Sequence, residues 1–279
     1  MNNDKEIKAL LNLLDDPDEE IYAVVSEKIA NYGKEIIPNL ENAWENTINS
    51  ELQQRIESLI HRLHFSDLEQ QFTHWSNEEY PLLLDGVILT CKYLYPDLDS
   101  DQLLKEIEKL KKSIWLELNN YLTPLEQVNI LASILFNYFG LKGVEKSKSG
   151  KEGYLFNKVI ESKKGNQFGN GLLFLVLAEQ LNLPISAIQI PGLFALAYFR
   201  DEIQYYIDPG FGHIFTQKDV DTYFERVRAE AKESYFLPLD TFGVIKTWLI
   251  EFSTCFENIE ESDKKKELLQ LVSILDKQK

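Results

Sequence analysis

Cysteine is scarce. Two thiols in 279 residues, Cys91 and Cys255, cannot build a disulfide framework, and with no CxxC spacing the chain lacks the ligand pattern of a structural zinc site. Glycine and proline are thin as well, 13 and 9, too few for long linkers, so an ordered chain is expected throughout. Neither GxGxxG nor GxxxxGK occurs, which removes the main sequence support for dinucleotide binding and phosphoryl transfer. Basic residues are outnumbered 29 to 45, and the formal charge of −16 opposes both the phosphate backbone of nucleic acid and an anionic membrane surface. No apolar run reaches bilayer length, and the opening MNNDKEIKAL has no apolar signal-peptide core. These absences lead us to expect a cytoplasmic protein with no cofactor, no metal, no nucleic acid and no membrane among its partners.

What the chain does have is one fully apolar helix candidate. From Leu172 to Ala178 every residue is apolar, so a helix here has no wet face and belongs at the centre of the fold. Gly165, Gly169 and Gly171 in front of it allow backbone to approach closely, and Pro184 stops further helix. Beyond it the period changes to that of strands: Ile185–Ile190, Leu193–Phe199, Gln204–Ile207 and Ile214–Phe215 read as a small antiparallel sheet packed on the helix.

Helices flank this core. Residues 1–65 read as two helical hairpins, with a good cap in Asp15-Asp16-Pro17-Asp18 and a second pair at Glu35–Asn46 and Ser50–Leu63. Further helices are expected over Glu78–Tyr93, from Asp99 or Ser100 to Leu118, over Pro124–Phe139 behind the capping box Thr123-x-x-Glu126, and over Leu155–Lys163. Three more follow the sheet, from Thr216 to Lys232, from Asp240 or Thr241 to Asn258, and from Asp263 to Leu275. The reading is an α+β fold, mostly helical, with a domain over 66–279 behind the hairpins.

Several segments resemble a known family. YLFNKVIESKKGN (Tyr154–Asn166), LAEQLNLPISAIQIPGLFALAYF (Leu177–Phe199) and YIDPGFG (Tyr206–Gly212) match the core of the transglutaminase-like superfamily, within it the bacterial SirB-type branch. YPDLD (Tyr95–Asp99) and TPLEQVNILASILFNYFG (Thr123–Gly140) fit it more loosely. The run from Leu13 to Gly33 and Ile37-Pro38-x-Leu40 resemble HEAT repeats; a plain helical extension is the other reading of 1–65.

The superfamily resemblance implies a cysteine at the start of the buried helix, a histidine on a following strand and an aspartate beyond it. Carried onto this chain, those positions are Gln167, Leu193 and Asp208. Neither glutamine nor leucine can supply the chemistry, so no catalytic residue is expected. Two functions are weighed: a catalytically degenerate binding or scaffold module whose partner is a protein or small ligand, and an amide-directed hydrolase or transferase of papain-like cysteine chemistry that recruits substitutes such as His213. Cys91 and Cys255 both lie in amphipathic patterns and read as core thiols. His61 and His64 share a helix face without a nearby cysteine or a carboxylate at a tested distance, and read as ordinary histidines. Lys142, Lys146, Lys148, Lys151, Lys158, Lys163 and Lys164 are either a solvated face or an anion site before the next helix.

Overall fold

The computed structural model describes residues 2–258 and 261–277 and divides into two compact units, Met1–Thr73 and His74–Lys279. The first unit contains α1 (Asn2–Leu13), α2 (Glu19–Ala30), a 3-10 turn (Gly33–Ile36), α3 (Ile37–Asn46) and the start of α4 (Ser50–Ser76). Its core is Leu10, Leu14, Ile29, Ile36, Leu40 and Ile56. Asp18 caps α2 by accepting from the Glu20 N–H at 2.9 Å, and the Arg55 guanidinium donates to the carbonyls of Leu14 and Asp16, tying α4 to the α1–α2 turn. α4 runs well past the expected stop at Leu63, because Leu68, Phe72 and Trp75 continue the helical spacing of apolar residues and are buried. The 65/66 boundary expected from sequence lies within α4, as does the 73/74 division between the two units.

In the second unit α5 (Leu83–Lys92) is shorter than the expected Glu78–Tyr93. Pro81 biases the residue before it away from helix, and Leu82 is extended. α6 (Ser100–Glu117) is capped by Asp99, and α7 (Pro124–Ser133) opens with the expected capping box, Thr123 with Glu126. α7 continues as a π-helical turn, Ile134–Tyr138, before Gly140 ends it at φ 81°. The expected loop 142–153 holds a strand: β1 (Lys142–Gly143) pairs in parallel with β2 (Lys164–Gly165) on the far side of α8 (Phe156–Ser162). Two-residue strands leave no alternation to read.

α9 (Gln167–Gln180) is the buried centre, with every residue from Phe168 to Ala178 buried. It lies against α5, α6 and α8 and against the sheet β3 (Ile185–Ile190), β4 (Leu193–Arg200), β5 (Glu202–Asp208), β6 (His213–Phe215), antiparallel in that order. The other sheet face packs Ile188, Ile190, Ala195, Ala197 and Tyr206 under Val220 and Phe224 of α10 (Gln217–Val227). α10 ends before the expected Lys232, with Arg228 left-handed at φ 54°. α11 (Thr241–Ser253), a 3-10 turn (Thr254–Phe256) and α12 (Ser262–Asp276) complete the unit. Among the described residues no helix is long and apolar enough to cross a membrane.

Candidate functional site

The start of α9 is built from buried polar groups. Asn166 is fully buried; its Oδ1 accepts from the Phe168 and Gly169 N–H groups at 2.9 and 3.1 Å, and its Nδ2 donates to Ser149 Oγ at 3.0 Å. One turn later Asn170, also fully buried, donates through Nδ2 to the Gly210 carbonyl at 3.0 Å. Gly169 is required by close approach, since a Cβ there would lie 2.3 Å from the Gly153 carbonyl oxygen. Asn166 and Asn170 were not singled out from sequence; the available signal was an asparagine directly before a helix.

Gln167 is the first residue of α9 and is half-buried. With Phe168, Gln189, Leu193, Phe194, Lys146 and Glu251 it lines a cleft of about 380 Å³ between α9, the β3–β4 hairpin, the chain near 234–239 and α11. Gln167 and Leu193 thus share one cavity. Strand alternation gives Leu193 a second role, for it also packs among the apolar residues of the opposite sheet face. The β4 residue laid directly on α9 is Phe194, whose ring stacks on Phe168 with centroids 4.9 Å apart. The Phe168 ring stacks in turn on Tyr154, and Lys146 Nζ lies 5.8 Å from its centroid while pairing with Glu251.

Asp208 ends β5, opposite His213 in register. Its Oδ1 accepts from the Gly210 N–H at 2.8 Å and its carbonyl accepts from the Gly212 N–H at 2.8 Å, so it holds the 209–212 turn. That turn reaches α9 through Asn170, and Gly210 lies between the two residues: a Cβ on it would sit 3.0 Å from Asp208 Oδ1 and 3.6 Å from the Gln167 Cβ. The three positions Gln167, Leu193 and Asp208 therefore meet around one end of α9. Tyr206, two residues before Asp208, sends its hydroxyl to Gln217 instead.

The two thiols differ. Cys91 is fully buried, and burial pushes its pKa up to about 11 against hydrogen bonds from the Asn157 and Phe156 backbone and Thr90. Cys255 is only half-buried, which corrects the expectation of a core thiol. α11 ends at Ser253, and the 3-10 turn that follows swings Cys255 away from the face on which Phe252 and Phe256 are buried. Burial raises the Cys255 pKa, partly offset by Lys146, Tyr154 and Lys151. No histidine is among the groups acting on either thiol. In native protein an alkylating reagent should therefore label Cys255 and leave Cys91 until the chain unfolds, as peptide mapping after brief labelling would show. Equal labelling of both would mean that α5 opens readily.

The lysines of the 142–164 region are largely paired. Lys146 meets Glu251, Lys148 meets Glu145, Lys151 meets Glu261 and Lys158 meets Glu161, and the following helix start is already capped by Asn166. Among the described residues no group of three or more His, Cys, Asp or Glu side chains could hold a metal ion.

Comparison with known proteins places this architecture. The model of the transglutaminase-like superfamily matches residues 101–249, more than half of the chain and the stretch that carries Gln167, Leu193 and Asp208. The chain belongs to the transglutaminase-like superfamily. It is also similar to the UPF0162 protein YchA of Escherichia coli strain K12 and to that of strain O157:H7, each 22% identical over 159 residues, which is 57% of this chain. The chain covers 59% of the length of these curated relatives. No solved structure matches it.

Proposed function

We propose that this member of the superfamily is a catalytically degenerate binding or scaffold module of the cytosol, whose cleft at the start of α9 holds a partner without transforming it. One observation carries the reading: the cleft is formed, and it is lined by Gln167 and Leu193, the residues that the sequence resemblance sets at the superfamily's nucleophile and histidine positions. An amide side chain is a poor nucleophile and leucine has no proton to exchange. Asp208, the third position, keeps a structural task at the 209–212 turn. Assignment to the SirB-type branch and a HEAT-like character for 1–65 belong to the same reading, supported by the sequence likenesses and, for the latter, by the four helices α1 to α4. The alternative, amide chemistry with substitute groups, needs an imidazole beside a thiol, and the groups acting on Cys91 and Cys255 include none.

The test is a turnover assay joined to a stability measurement. Wild type should not hydrolyse or transamidate amide and peptide substrates above the blank. Asp208→Ala should cost about 1 kcal/mol, the net worth of one part-buried hydrogen bond. Turnover by wild type that Asp208→Ala abolishes at unchanged stability would overturn the reading.

A further inference from the structure

β3 is an edge strand of the sheet, and the 3-10 turn Glu233–Phe236 and the chain that follows it come up beside its outer side. The Phe199 N–H donates to the Pro184 carbonyl across to β4, and the register continues through Ser186↔Ala197, Ile188↔Ala195 and Ile190↔Leu193. These even-numbered residues turn their backbone groups to β4. The intervening residues turn theirs outward, as Ala187 shows: its carbonyl accepts the Leu239 N–H at 2.9 Å. Here the chain itself already adds an extended segment to the edge, with Leu237 in extended conformation leading towards Leu239.

Two residues further on, Gln189 must present its N–H and C=O in the same outward direction, because backbone groups alternate with period two. Gln189 is exposed, among the described residues no hydrogen bond from another segment reaches its backbone, and it lines the cleft that also contains Gln167. The donor and acceptor of an open strand edge thus face a formed cavity. The chemistry of the walls is neutral: Phe168, Leu193, Phe194 and Leu237 are apolar, Gln167 and Thr247 are uncharged, and the charges of Lys146 and Glu251 are spent on each other.

We propose that the Gln189 edge of β3 is a strand-addition site for an extended peptide segment of a partner protein, whose inward-facing side chain is uncharged. This rests on the reading of the cleft as a binding site. Two main-chain hydrogen bonds to Gln189 fix the peptide's register, and the cleft selects against a charged residue, which would lose its hydration without finding an unpaired partner.

The experiment uses the full chain and an array of short synthetic peptides varied at each position. Peptides with apolar or amide residues at one position should bind, and acidic or basic residues there should lose. With the best peptide, Gln189→Pro removes the outward N–H at a position where an edge strand tolerates proline, and should weaken binding on the order of tenfold. Gln189→Ala, which keeps the backbone groups, should stay within about twofold. N-methylation of the peptide should weaken binding at alternate residues only, and this decides the matter should Gln189→Pro fail to fold. A bound peptide indifferent to Gln189→Pro and to N-methylation, a preference for charged residues, or an array with no binder would overturn the strand-addition site. None of these restores a nucleophile, so the degenerate-module reading falls separately, on the turnover assay.

Discussion

Asn166→Ala should lower the unfolding free energy by about 2 to 4 kcal/mol. The loss of an N-cap side chain costs about 0.5 to 2 kcal/mol, and here the cap is fully buried, so the Phe168 and Gly169 N–H groups would be stranded without water. Ser149 Oγ would lose its donor in the same step. Asn166→Asp is the informative contrast. The carboxylate keeps both acceptor bonds, and those two N–H donors with the positive end of the helix dipole offset the cost of burying its charge; it cannot donate to Ser149, and its loss should still be smaller than that of alanine. Denaturant unfolding followed by far-UV circular dichroism gives the comparison. Equal losses in the two variants would mean that the Ser149 bond, not the cap, holds the start of α9.

Why was the centre of this fold legible and its periphery less so? An apolar run of one turn after another can only be buried, so α9 followed from Leu172 to Ala178, and the strands after it followed from their alternation. The capping box at Thr123 was legible because two side chains and two backbone groups satisfy each other locally. Features settled by distant partners were not. Cys255 shares helical spacing with Phe252, but the helix yields to a 3-10 turn just before it, and spacing counted past a helix end misplaces the side chain. The β1–β2 pair is invisible because its pairing is set by the α8 crossover between them. At the site, position was readable and environment was not: the sequence put Gln167 at the helix start, while the polar bracing by Asn166, Asn170 and the 209–212 turn depends on contacts up to forty residues apart.

Gln167→Cys should create a thiol that alkylates about tenfold faster at neutral pH than Cys255. A thiol at a helix N-terminus faces the positive end of the dipole, which lowers its pKa below the ordinary ~8.5. The Asp208 carboxylate beyond Gly210 opposes the shift without reversing it, since Asp208 is engaged by the Gly210 N–H. Burial moves Cys255 the other way. The thiolate reacts, and it forms as pH rises through the pKa, so labelling of position 167 should set in at lower pH than labelling of position 255. Lower intrinsic nucleophilicity of the more acidic thiol trims the gain, which is why about tenfold is expected rather than the larger ratio of thiolate fractions. Adding Leu193→His in this background tests the proposed histidine position. An imidazolium in the shared cleft should shift the onset of labelling at 167 further down in pH, an effect that disappears as the imidazole itself deprotonates. No further shift would mean that residue 193 serves only the apolar face under Val220 and Phe224, so that Leu193 does not occupy a base's place at all.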